Sequence, residues 1–110
     1  MIRPARNMAL KEPPHQYDET VTSYRDKVGL TVIRTAQNSV ALAFGELTLW
    51  TDRVPHLSRS DVWLELLADE PTQVLQALGS PRRDELEPLD GVTGHWTSDP
   101  AGTVLLLRAG

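Results

Sequence analysis

The stretch from Gly94 to Gly110, GHWTSDPAGTVLLLRAG, decides how the remainder of the chain is read. Two apolar-bearing runs, His95 to Ser98 and Thr103 to Arg108, flank Asp-Pro-Ala-Gly. Pro100 presets the φ that a β-turn wants at its second position, Asp99 has a side chain able to bond back to the backbone, and Gly102 tolerates a positive φ. The segment reads as strand, turn, strand. Turn chemistry alone makes it a hairpin and nothing more, so its meaning depends on what lies upstream.

Immediately upstream, Arg82 to Leu89 carries Leu86 and Leu89 amid charge and reads as a further strand. Asp69-Glu70-Pro71 opens a helix in which Val74, Leu75 and Leu78 form the apolar stripe and Gly79 is the stop. Asp61 to Leu67 (DVWLELL) alternates: Val62, Leu64 and Leu66 on one face, Asp61, Trp63 and Glu65 on the other, a half-buried strand. The second half thus reads β, α, β, β, β. The first half reads the same way. Arg6 to Lys11 is a strand, Lys11 to Gln16 a loop, and residues 18–28 a helix with Asp18 as N-cap, Val21, Tyr24 and Val28 on one face, and Gly29 at its end. Thr31 to Arg34, Ser39 to Phe44 and Leu47 to Thr51 are the three strands that follow. Gly29 and Gly79 therefore close equivalent helices in an internal repeat of roughly fifty residues. The expected organisation is one domain over residues 1–110, with module 1 at about 5–51, a linker at about 52–60 (DRVPHLSRS) and module 2 at about 61–109.

Composition narrows the partners. The 110 residues are 40% apolar, include no cysteine and carry a formal net charge of -4. That is one modest core and no disulfide framework, which fits a reducing compartment. The opening Met-Ile-Arg-Pro-Ala-Arg has no apolar run of signal-peptide length behind it, and no apolar run exceeds the five residues Val40 to Phe44, so a soluble cytoplasmic protein, neither secreted nor membrane-spanning, is expected. Without a basic cluster, nucleic acid is not an expected partner. A small molecule or another protein is.

Ser23-Tyr24-Arg25-Asp26-Lys27-Val28-Gly29-Leu30 resembles the F-Y-R-D-x-L-G-L helix end of the vicinal oxygen chelate superfamily, and Asp99 to Val104 resembles its D-P-D-G-N hairpin. That superfamily holds glyoxalases, bleomycin-resistance proteins and extradiol dioxygenases. The resemblance covers Arg6 to Arg108 in the correct order. It implies an α+β fold in which two βαβββ modules curl a mixed sheet into an open cup with helices outside, often completed across a homodimer. It also implies a divalent metal held by His, Gln or Glu from the first and fourth strands of each module. Carried over, the first-strand positions fall at Asn7 and Asp61 and the fourth-strand positions at Thr48 and Leu106. Leucine binds no metal, threonine and asparagine are poor ligands, and Asp61 alone makes no site. A one-residue shift would bring Glu46 or Glu65 closer. The resemblance is therefore to members without the metal centre, of the bleomycin-resistance type.

Strand alternation assigns the faces. Leu47, Leu49, Val62, Leu64, Leu66, Leu105 and Leu107 suit packing under the helices; Thr48, Trp50, Asp61, Trp63, Glu65, Val104, Leu106 and Arg108 face the other way. The expected ligand-binding set is Asn7, Thr48, Trp50, Asp61, Trp63, Glu65, Leu106 and Arg108. Paired indoles with carboxylates and an arginine suit a flat, partly polar compound, or a cation, against the rings. Alternatively Trp50 and Trp63 fill the cup or lie in a dimer interface. His95 and Trp96 must face oppositely, and alternation does not say which enters the cleft; His95 and Glu65 are the acid-base candidates, and no catalytic residue is assigned. His15 and His56 have no second ligand nearby. Three functions follow: a metal-free, homodimeric small-molecule binding protein connected with antibiotic resistance; a glyoxalase-like lyase or isomerase, or a dioxygenase, with atypical metal ligands; or an accessory protein that uses the cup for protein contact.

Overall fold

A computed structural model describes residues 2–89 and 91–110. Seven strands and two helices form a mixed α+β fold: β1 (Ile2–Glu12), α1 (Pro14–Thr22) continued by a π-helical segment (Ser23–Val28), β2 (Val32–Thr35), β3 (Ser39–Phe44), β4 (Leu47–Arg53), β5 (Asp61–Ala68), α2 (Pro71–Leu78), β6 (Gly94–Ser98) and β7 (Val104–Ala109). The strands are hydrogen bonded in the order β2-β3-β4-β1-β5-β7-β6, an open sheet. Two units can be recognised, Arg6–Val62 and Trp63–Gly110 with the N-terminal residues of β1.

In the first unit, β1 pairs with β4 in parallel, and β2, β3 and β4 form an antiparallel meander. Pro13 is extended and Pro14 occupies the first helical turn, where its fixed φ fits and its missing N–H is not needed. Helix α1 therefore starts before Asp18, which the sequence suggests as the cap. Tyr17 and Val21, one turn apart, are its buried residues, and α1 packs on β4. The Tyr17 hydroxyl donates to the Thr51 carbonyl at 2.9 Å, and the Arg53 guanidinium lies 5.0 Å from the ring centre. Burial pushes the phenol above its usual 10.0, against the hydrogen bond to Thr51. Gly29, at φ 87°, ends the helix in the left-handed conformation expected of it.

In the second unit, β5 pairs with β7 in parallel and β6 with β7 antiparallel. The hairpin forms as its sequence dictates. Asp99 Oδ1 accepts from the Ala101 and Thr103 amides, both at 2.9 Å, and the Gly102 amide, at φ 94°, donates to the Asp99 carbonyl at 2.9 Å. Helix α2 packs over β6 and β7. Val62 and Leu64 of β5, expected under a helix, are for that reason exposed. Residues 82–89, expected as a strand, form none. They cross the sheet face opposite α2, with Leu86 and Leu89 packed against a core of Trp96, Val104 and Leu106. The two halves are consequently not identical: the second lacks a counterpart of β2, and the first helix is longer by its π-helical segment.

Candidate binding site

Each unit presents a sheet face turned away from its helix, and the residues singled out in the sequence divide between them. In the first unit Asn7 stands opposite Thr48, Ala9 opposite Trp50 and Lys11 opposite Asp52, which puts all six on one face. Trp50 Nε1 donates to Asn7 Oδ1 at 3.0 Å. Asn7 thereby has a carbonyl lone pair committed to the indole and the ring edge fixed. Farther along the face, Lys11 Nζ lies 2.8 Å from Asp52 Oδ2, with side chains 6% and 19% exposed, and Ser39 donates to Asp52 Oδ1 at 2.7 Å. In a pair so well shielded, removing either partner leaves the other's desolvation poorly offset.

In the second unit Trp63 stands opposite Val104, Glu65 opposite Leu106, and Leu106 in turn opposite Trp96 of β6. Leu106 is accordingly beside Glu65, whereas Asp61 precedes the paired stretch and is exposed. The pairing expected between Asp61 and Leu106 is thus displaced by four residues along β5, to Glu65. Glu65 is the carboxylate next to Leu106, and Arg108 reaches it with both contacts at 3.5 Å. Trp63 meets Trp96 edge to face, ring centroids 5.1 Å apart with planes at 66°, an arrangement that sets the positive edge of one indole against the negative face of the other. Trp96 Nε1 donates to the Glu87 carbonyl at 3.0 Å.

The orientation of the His95–Trp96 pair follows from these contacts. Trp96 lies on the face with Trp63 and Leu106. His95, opposite Leu107 on the other side, has Nε2 2.9 Å from Thr72 Oγ1 of α2. That removes His95 from the face carrying Glu65, so the two acid-base candidates are not brought together. Trp96 is the site residue that alternation alone leaves undecided. Glu46 sits in the β3–β4 turn and is exposed.

The architecture of the chain recurs in known proteins. Over 99% of its length it is superposable on the Mn(II)-bound glyoxalase from Novosphingobium aromaticivorans, with a TM-score of 0.67, 17% identity and 40% of that chain covered. Methylmalonyl-CoA epimerase from Mycobacterium tuberculosis gives a TM-score of 0.65 at 11% identity, covering 96% of this chain and 87% of the other. A glyoxalase/bleomycin resistance protein/dioxygenase superfamily member from Vibrio splendidus 12B01 gives 0.59 at 10% identity, with both chains covered in full. The chain has the vicinal oxygen chelate fold. No protein-family model and no curated protein sequence matches it.

At the positions that the resemblance assigns to metal ligands, the side chains are a poor donor set for a divalent ion. Asn7 and Thr48 are weak neutral donors, Asn7 Oδ1 already accepts from Trp50, and Leu106 offers no donor. Among the described residues no three His, Cys, Asp or Glu side chains converge, and Glu65, the nearest carboxylate to Leu106, is engaged with Arg108. Among the described residues, no helix is long and apolar enough to cross a membrane.

Proposed function

We propose that this chain is a metal-free small-molecule binding protein of the glyoxalase/bleomycin-resistance type, which holds a flat aromatic, drug-like compound against tryptophan. The observation that carries the reading is the Trp63–Trp96 pair, 5.1 Å between centroids, on a face that also bears the Glu65–Arg108 pair. Indoles supply broad apolar contact at small entropic cost, and one carboxylate with one guanidinium can orient a partly polar ligand. Trp50, oriented by Asn7, offers a second indole in the other unit. The chain acts in the cytoplasm as a homodimer, the exposed Val62 and Leu64 of β5 being the apolar surface that a second copy would cover. The test is a titration of aromatic compounds followed by tryptophan fluorescence. Saturable quenching that weakens in Trp50→Ala or Trp63→Ala supports the proposal; binding indifferent to both substitutions refutes it.

A second reading has one observation in its favour. The Novosphingobium structure is described as a Mn(II)-bound glyoxalase, and Glu65 is a carboxylate beside the fourth-strand position. Under that reading the chain is a lyase, isomerase or dioxygenase with atypical ligands. Stoichiometric metal in elemental analysis of the purified protein would favour it over binding alone.

A further inference from the structure

We propose that residues 80–89 are a displaceable strap closed over the Trp63–Trp96 pair, and that a flat apolar ligand binds by taking the places of Leu86 and Leu89 against the indoles. This rests on the function proposed above and adds how the site is reached. Four observations carry it. The strap has no helix or strand of its own. It is bracketed by Gly79 and Gly91, at φ 65° and 71°, with open space where a Cβ would stand at either one, so both ends have the backbone freedom a hinge needs. It is tied to the sheet by separable polar bonds: the Arg83 amide to the Trp96 carbonyl at 2.8 Å, Trp96 Nε1 to the Glu87 carbonyl at 3.0 Å, and Thr97 Oγ1 to the Pro81 carbonyl at 2.7 Å. Four of its charged side chains pair within the strap, Arg82 with Asp84 and Arg83 with Glu85.

What the strap places on the sheet is apolar and small. Leu86 and Leu89 pack against the core of Trp96, Val104 and Leu106, as Trp63 does, and so occupy the apolar surface that the proposed ligand needs. The strap and the ligand compete for one surface, and the apparent affinity is lowered by the fraction of molecules in which the strap is closed.

The test uses the full chain and anilinonaphthalene sulfonate, a flat aromatic probe. Leu86→Ser with Leu89→Ser, which weakens the closed state, should bind the probe about tenfold tighter or more than the unsubstituted chain, with the gain lost when Trp63→Ala is added. Equal binding in a folded double variant, or a gain that survives Trp63→Ala, overturns the strap. Should the double variant fail to fold, hydrogen exchange of the unsubstituted chain decides. The Arg83 and Leu86 amides should exchange roughly tenfold faster or more than those of Leu105 and Leu107 in β7, reporting an opening that leaves the sheet intact; equal protection overturns the proposal. If the strap opens and uncovers the indoles but no biological aromatic compound binds, the strap stands and the functional reading falls.

Discussion

Trp50 Nε1 and Asn7 Oδ1 are joined by a 3.0 Å hydrogen bond across the parallel β1–β4 pair. The bond holds the edge of the indole against the neighbouring strand. Asn7→Ala should leave the fold intact, cost about 1 kcal/mol for the lost bond, and red-shift or broaden Trp50 emission. Asn7→Asp, which keeps an acceptor, should restore the emission of the unsubstituted chain; emission unaffected by Asn7→Ala would show that the bond does not orient the ring.

The buried ion pair is the most sensitive point of the first unit. Removing the Asp52 carboxylate deprives Lys11 of its 2.8 Å partner and Ser39 of its acceptor. Asp52→Ala is expected to cost about 3–5 kcal/mol, whereas Ser39→Ala should cost about 1 kcal/mol. Urea unfolding monitored by circular dichroism separates the two.

Tyr17 makes an alkaline prediction. Its folded-state phenol titrates above the ordinary 10.0 because burial disfavours the phenolate. Between the unfolded and folded values the unfolded chain has lost the proton that the folded chain keeps, so this contribution is complete below pH 10 and disappears as pH rises past it. Tyr17→Phe should lower stability near neutrality by about 1 kcal/mol through the lost bond to Thr51, and should flatten the alkaline fall in stability. Parallel alkaline curves for the two proteins would contradict this.

The hairpin tests local turn chemistry. Asp99→Ala releases two backbone amides from their acceptor and should cost about 1–2 kcal/mol. Gly102→Ala, at φ 94°, should cost about 1–2 kcal/mol through backbone strain. Thermal unfolding of each variant gives the comparison.

Trp96 carries more of the second unit's packing than Trp63. It is 9% exposed, at the centre of the apolar group with Val104 and Leu106, so Trp96→Ala should cost about 3–5 kcal/mol. Trp63→Ala, removing a half-buried ring, should cost less and suits functional tests better.

What the sequence revealed was local. Asp99, Pro100 and Gly102 specify their turn within a few residues, Gly29 and Gly79 mark helix ends by a conformation few other residues adopt, and Ser39 to Phe44 alternates so regularly that its strand has the expected bounds. What it concealed was tertiary. Pro13 and Pro14 lie in what reads as a loop, Lys11 to Gln16, yet Pro14 is also a natural first helical residue, and α1 begins there. Leu86 and Leu89 have the apolar content of a strand but serve as single contacts on a face supplied by Trp96 and Leu106. Alternation put His95 and Trp96 on opposite faces; only the neighbours, Thr72 and Trp63, show which is which. At the candidate site, Glu65 and not Asp61 stands opposite Leu106; Asp61 and Glu65 share a face, and periodicity cannot tell them apart.

Under the proposed function this fold acts through its tryptophan faces without a resident metal. Native mass spectrometry of protein purified without chelator tests it most directly. The 12.2 kDa chain should appear as a dimer free of divalent metal, with additional mass only from a small organic molecule. One metal ion per chain, retained through desalting, would contradict it.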